Sequence, residues 1–190
     1  VATMNRLLII GPPGAGKGTQ AVKIAEKLSI PAISTGDIFR KNIKEQTELG
    51  KEAKSYIDGG NLVPDSVTNN MVRARLAEED AKNGFLLDGY PRNTAQVHEL
   101  DAILSEMESE IDRVLLLVAD GEELVLRLLG RAQEQGRTDD TEDVIRHRLK
   151  VYEEETAPLL SIYRERGLVK EINGLGDVDE VTTRILDALK

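Results

Sequence analysis

Leu7-Leu8-Ile9-Ile10-Gly11-Pro12-Pro13-Gly14-Ala15-Gly16-Lys17-Gly18-Thr19 decides the reading of this chain. The four apolar residues are too few for a helix, stop at a glycine, and read as a buried strand. From Lys17 onward Ala21, Val22, Ile24, Ala25 and Leu28 recur at helical spacing, so the turn joins a strand to an amphipathic helix. Glycines let a backbone wrap a phosphate with its N–H groups, and the helix N-terminus adds its dipole. Lys17 supplies a point charge for outer phosphates, and the Thr19 hydroxyl can approach Mg²⁺. The Ser/Thr that usually follows the lysine directly is Gly18 here, with Thr19 one place later. A plain Gly/Pro turn with a solvated lysine is the alternative, but it does not account for the strand before and the helix after. Gly14, Ala15, Gly16, Lys17, Gly18 and Thr19 are therefore the candidate phosphate ligands.

Outward from this loop, short apolar runs alternate with long amphipathic stretches. Pro31 to Ser34, Phe85 to Leu87, Arg113 to Ala119 and Leu168 to Asn173 read as further strands. Helices are predicted over 37–46 and 49–58, with Gly59-Gly60 stopping the second. Another follows Pro64, where Asp65 can cap it, and runs to about Glu79. Further helices follow Pro91 and cover 122–134, 142–166 and 178–189. Strand and helix in repeated alternation mean one α/β domain, a parallel sheet with helices on both faces.

Composition bounds the function. The 190 residues suit one domain, and the net charge of −9 offers no basic surplus for binding a nucleic acid. With no cysteine, disulfides, thiol catalysis and Cys-built zinc sites are excluded. No apolar run approaches the roughly 20 residues of a membrane helix, and no signal-peptide pattern is visible, so the expectation is a soluble, cytoplasmic protein without a membrane partner. Val1-Ala2-Thr3 ahead of Met4 reads as an extension or an expression remnant. No large apolar stripe is left exposed, which points to a monomer.

Other segments narrow the class. An Asn-Lys-x-Asp guanine-reading motif is absent. Ser34-Thr35-Gly36-Asp37 with Arg40, Asp88-Gly89-Tyr90-Pro91-Arg92 and Gly136-Arg137-Thr138-Asp139-Asp140 follow the phosphate loop in that order. With these motifs the chain resembles the adenylate kinases, within the nucleoside monophosphate kinases, over nearly its whole length from Arg6 to the last helix. The resemblance implies a P-loop fold with a five-stranded parallel sheet, a small monophosphate-binding lobe over residues 34–63 and a lid over residues 130–140. Only Ala132 to Gly136 separate Arg131 from Arg137, so the lid is of the short type, with no room for a zinc-bearing subdomain.

The implied reaction is Mg²⁺-dependent phosphoryl transfer between ATP and AMP, giving two ADP. The acceptor is itself a phosphate with a second pKa of about 6, so no general base is needed and neither His98 nor His147 is required. Arginine is the expected catalyst, because its planar cation matches phosphate oxygens bidentately. By resemblance Arg40 and Arg92 grip the AMP phosphate, with Gly89, Tyr90 and Pro91 beside them. Arg131, Arg137 and Arg148 converge on the transferring phosphoryl, and Arg137 and Arg148 also reach AMP. Arg146 matches no such position and reads as a surface residue. Arg127 matches the position that stacks on the ATP base, and Gly176 lies in the loop that approaches it. Leu124, Val125, Leu128 and Leu129 form the apolar stripe of that helix, which leaves Arg127 and Arg131 together on another face.

Asp88 ends a strand at the carboxyl edge of the sheet, where ligands of open α/β sheets bind. It resembles the family's aspartate that holds Mg²⁺ through water, with Thr19 as a second contact. Thr35 and Gln96 match the positions that favour adenine in AMP, and Asn61, Leu62 and Val63 line that site through their backbone. Asp139 and Asp140 read as lid hinges or latches rather than metal ligands. Residues 34–63 and 130–140 are polar and poor in core residues, as elements that close over nucleotides tend to be. Glu153-Glu154-Glu155 reads as the solvated face of the helix anchored by Val151, Tyr152, Leu159 and Leu160. The alternatives are a UMP/CMP kinase and a non-catalytic ATP/AMP-sensing module, which has little need of groups aimed at a transition state.

Overall fold

The apolar run ahead of the glycine-rich turn is strand β1 (Asn5–Ile10), the central strand of a five-stranded sheet. The structure, a computed structural model, describes residues 5–61, 63–136 and 141–189. After β1 come α1 (Lys17–Leu28), β2 (Ala32–Ser34), α2 (Thr35–Lys44), α3 (Glu48–Asp58) and α4 (Asp65–Leu76). A single 3₁₀ turn at Glu79–Ala81 leads into β3 (Gly84–Asp88), α5 (Thr94–Glu106), β4 (Arg113–Val118) and α6 (Gly121–Glu134). The chain continues through α7 (Glu142–Glu165), β5 (Val169–Asn173) and α8 (Val178–Ala188). All pairings are parallel, in the order β2-β3-β1-β4-β5.

That order explains where a ligand can sit. The chain leaves β1 for β2 and β3 on one side and then crosses to β4 and β5 on the other. The crevice at such a reversal lies beyond the carboxyl ends of the strands, and the turn after β1 opens into it.

Strand alternation divides the core between the two faces. Leu8, Phe85, Leu87 and Val114 pack with Met71 and Val72 of α4, Leu100 and Ile103 of α5, and Leu159 and Tyr163 of α7. Leu7, Ile9, Leu86, Leu115 and Leu117 pack with Ile24 of α1, Leu124 of α6, and Val181 and Ile185 of α8. Burying each such side chain contributes about 1.5–3 kcal/mol. These two layers hold the strand ends, and the groups on them, at fixed separations.

Several local expectations need correction. Val22 stands 60% exposed, so Ala21, Ile24 and Ala25 carry the buried stripe of α1. Gln20 takes a buried place instead, donating to the Val178 carbonyl at 3.0 Å and accepting from the Thr182 hydroxyl at 2.7 Å. That polar pairing ties α1 to α8, which no local apolar count reveals. Asp65 is the first helical residue of α4, after extended Pro64, and makes no cap. Helix α2 starts two residues before the predicted position, because Ser34 accepts the Asp37 N–H at 3.1 Å and closes the first turn. Leu128 and Leu129 are half-buried, while Leu124 and Val125 are fully inside.

Candidate active site

The loop between β1 and α1 has the backbone that its glycines allow. Gly14 and Gly16 take φ of +87° and +81°, which only glycine adopts without strain. A side chain on Gly14 would also come within 3.0 Å of Leu128, whereas Gly16 and Gly18 face open space. The Ala15 N–H donates to the Pro12 carbonyl at 3.2 Å and fixes the curl. Gly16 is the N-cap of α1 and brings no side-chain acceptor, so the first-turn N–H groups are left to an external anion.

Asp88 is the last residue of β3, in register with Ile9 on one side and Ser34 on the other. Lys17 Nζ lies 2.5 Å from its Oδ1. Next to it Gly89 turns at φ +87°, and a side chain there would meet Thr35 Oγ1 at 3.1 Å. The Gly89 carbonyl accepts from Arg92 Nε at 2.9 Å, which orients the guanidinium of Arg92. The phosphate loop, Asp88, Thr35, Gly89 and Arg92 thus meet at one corner of the sheet. The Tyr90–Pro91 peptide beside them is cis, and the Tyr90 hydroxyl donates to Asn69 Oδ1 at 2.7 Å. Burial, then the charges of Glu99 and Asp65, push the Tyr90 phenol above its ordinary range.

A cavity of about 820 Å³ opens over this corner. The phosphate loop forms its floor, Gly89, Tyr90, Pro91 and Arg92 one wall, and Arg131 and Arg148 another. A second cavity of about 470 Å³ adjoins it, and Gly14, Gly16, Thr19 and Arg131 belong to both. Arg127 and Gly176 line the second cavity. Arg127 donates to the Gly14 carbonyl at 3.3 Å and to the Gly176 carbonyl at 3.5 Å, spanning the phosphate loop and the turn before α8. Arg127 and Arg131 do share a face of α6, as the helical spacing implied.

Arg40, Asn61, Val63 and Gln96 do not line the larger cavity. Arg40 pairs with Asp37, and that bond, then the Ser34 hydroxyl, holds the Asp37 carboxyl below its ordinary range. Asn61 is exposed, with its N–H on the Tyr56 carbonyl at 2.8 Å, and Val63 packs at the edge of the core. Gln96 is buried, and its Oε1 accepts the Arg92 N–H at 2.7 Å. Leu62, Arg137, Asp139 and Asp140 lie outside the described residues.

Sequence reasoning passed over part of the cavity wall. His147, Tyr152, Glu155 and Thr156 all line the larger cavity. Glu153, Glu154 and Glu155 are all exposed, as a solvated face of α7 requires, and Glu155 and the exposed His147 also border the cavity. Counting three or four residues onward from Arg148 along α7 would have found Tyr152, Glu155, Thr156 and Leu159. Arg146 turns away, bridging Glu122 of α6 at 2.9 Å through both terminal nitrogens and Glu142 at 2.9 Å through Nε.

Among the described residues, no three His, Asp or Glu side chains converge as a metal cage, and no helix is long and apolar enough to cross a membrane. The oxygen-bearing side chains here are Asp88, paired with Lys17, and Thr19, which lines both cavities. Two hard oxygen donors beside a phosphate loop fit a Mg²⁺ that keeps its waters and phosphate ligands, not a protein-caged ion.

Comparison with known proteins agrees with this geometry. The family model described as adenylate kinase matches residues 9–168. The adenylate kinase of Kocuria rhizophila is 68% identical over 187 residues, covering 98% of this chain and all of the relative. Those of Pseudarthrobacter chlorophenolicus and Clavibacter michiganensis are 61% and 60% identical, each over 98% of this chain and 97% and 93% of their own lengths. A phosphate loop facing an arginine-walled cavity, in a chain matched nearly end to end, makes this protein an enzyme belonging to the adenylate kinase family.

Proposed function

We propose that the protein catalyses reversible phosphoryl transfer from ATP to AMP, giving two ADP, and so balances the adenine nucleotides. The observation that carries this reading is the pair of adjoining cavities, which share Gly14, Gly16, Thr19 and Arg131, with Arg92 lining one and Arg127 the other. ATP would lie with its base against Arg127 and Gly176 and its phosphates along the loop. AMP would lie on the Arg92 side, met by Thr35, Gln96, Arg40 and the 61–63 backbone, with its phosphate toward Arg92, Arg137 and Arg148.

In the reaction an oxygen of the AMP phosphate forms a bond to the terminal phosphorus of ATP as the bond to the ADP leaving oxygen breaks. No proton moves, because the acceptor oxygen is already deprotonated at neutral pH. The protein's work is alignment and charge neutralisation. Loop N–H groups and Lys17 hold the donor phosphates, and Arg131, Arg137 and Arg148 surround the phosphoryl in flight. Asp88 and Thr19 would hold Mg²⁺, which would supply positive charge to offset that of the phosphates. Lys17 pairs with Asp88 in this structure, so the lysine must turn from that carboxylate toward phosphate as ATP enters. Residues 34–63 and 130–140 act as the two closing elements, a monophosphate lobe and a short lid, that exclude water from the phosphoryl group.

The test is ADP formation from ATP with each of AMP, UMP, CMP and GMP, with and without Mg²⁺. Mg²⁺-dependent turnover with AMP alone is the expected result. Turnover with UMP or CMP instead would move the acceptor assignment, and ATP binding without any turnover would make the protein a sensor.

A further inference from the structure

Asp65, the first residue of α4, has both carboxylate oxygens engaged by amide side chains of the next helix. Its Oδ1 accepts from Gln96 Nε2 at 3.0 Å, and its Oδ2 accepts from Asn93 Nδ2 at 3.4 Å. A carboxylate in this state accepts only, so both amides must turn their nitrogens toward it. Their oxygens are fixed just as firmly. Gln96 Oε1 accepts the Arg92 backbone N–H at 2.7 Å, and Asn93 Oδ1 accepts the Gln96 N–H at 2.8 Å. Flipping the Gln96 amide would set N–H against N–H and oxygen against oxygen. Gln96 is only 6% exposed, so water could not relieve the clash.

We infer that Asp65 is a specificity-determining positioning residue, which fixes the donor–acceptor order of the Gln96 amide and so selects a 6-aminopurine at the monophosphate site. The inference deepens the AMP reading and rests on Gln96 meeting the acceptor base. With its bonds to Asp65 and Arg92 made, Gln96 keeps one N–H and one oxygen lone pair. The adenine edge offers an N–H donor at its 6-amino group and an acceptor at N1, which match that pair in one sense. The guanine or hypoxanthine edge offers an acceptor at O6 and a donor at N1, the reverse order. Against an amide that cannot flip, the reversed edge leaves two donors and two acceptors facing each other. Asp65 need not touch the base and acts through Gln96. The same bonds join the phosphate grip to the base reader, since the N–H that orients Gln96 belongs to Arg92.

The test measures kcat and KM for AMP, GMP and IMP, and KM for ATP, in the wild type and in Asp65→Asn, whose side chain can donate as well as accept. The expected result is a fall of about tenfold in the AMP-over-GMP ratio of kcat/KM, carried by KM for AMP, with KM for ATP unchanged. Asp65→Glu keeps an acceptor-only carboxylate and should recover most of the ratio. An unaltered AMP-over-GMP ratio in Asp65→Asn would overturn the inference, as would equal losses for AMP and ATP with a lowered Tm. Should Asp65→Asn not fold, Gln96→Glu keeps the oxygen for the Arg92 N–H but loses the donor. It must then lose the AMP preference, and a retained preference refutes the inference. A wild-type enzyme that prefers UMP or CMP overturns the AMP reading itself. One that prefers AMP and keeps its ratio in Asp65→Asn overturns only the role of Asp65.

Discussion

Lys17 Nζ sits 2.5 Å from Asp88 Oδ1, so the cation of the glycine-rich loop and the carboxylate at the end of β3 neutralise one another. The side chains are 29% and 17% exposed, which leaves the pair in contact with water. Lys17→Met should lower kcat by about 10²–10³-fold, the usual effect of losing one group that stabilises transition-state charge. The same variant should keep its Tm within a few degrees and still bind nucleotide, because a partly exposed pair contributes about 1 kcal/mol or less. Steady-state kinetics and a thermal melt of one preparation check both halves.

Arg127 bridges the Gly14 and Gly176 carbonyls and lines the smaller cavity, while Arg92 lines the larger. If its guanidinium also meets the ATP base, Arg127→Ala should raise KM for ATP about fivefold to tenfold, the effect of losing roughly 1 kcal/mol of cation–π and hydrogen-bond energy. KM for AMP should not move. A change confined to AMP would place the donor and acceptor sites the other way round.

Gly50 sits where α3 crosses α2, and a side chain there would come within 2.1 Å of the Asn42 carbonyl. Backbone cannot yield that far, so the two helices must separate. Gly50→Ala should cost about 3 kcal/mol, at the upper end for overpacking. If residues 34–63 work as a separate acceptor lobe, KM for AMP should rise several-fold while KM for ATP holds. Urea unfolding and two-substrate kinetics give both readings.

Acid should loosen the surface ties first. Side-chain hydrogen bonds from Arg40, Arg75 and Arg146 hold the carboxyls of Asp37, Asp80 and Glu122 below their ordinary 3.8, 3.8 and 4.5. A carboxylate depressed in the folded state contributes stability above its unfolded pKa and loses it as pH falls through the folded value. Stability should therefore be level near neutrality and fall below about pH 4. Arg146→Ala should flatten part of that fall, read by denaturant unfolding at a series of pH values.

The alkaline side has the opposite sign. Burial, then the charge of Glu153, pushes the Tyr152 phenol up to about 12 from 10.0. A proton held more tightly when folded stabilises the fold below the unfolded pKa and is lost as pH rises through the folded one. Stability should decline between about pH 10 and 12, followed by tyrosinate absorbance at 295 nm. A first tyrosinate rise near pH 10 from Tyr152 in the folded enzyme would contradict this.

Much of the fold was legible because its signals are local. Leu7 to Ile10 alternate between the two faces of a sheet, and the glycines after them must adopt φ that other residues avoid. Arg127 and Arg131 could be assigned to one face of a helix from spacing alone. Val22 shows the limit of the same reasoning, since an apolar residue at helical spacing is solvent-facing here. Its place inside is taken by Gln20, whose partners lie 158 and 162 residues further along the chain.

By itself the sequence determined the alternation of strand and helix and the glycine-rich turn between β1 and α1, because periodicity and glycine conformation act over a few neighbouring residues. Only the tertiary structure decided which groups meet. It placed Lys17 on Asp88, carried Glu155 into the cavity wall, and set Asp65 against an amide on another helix. Those pairings follow from strand order and from two helix layers packed on one sheet, and hydrogen bonds between residues distant in sequence leave no period for the sequence to display.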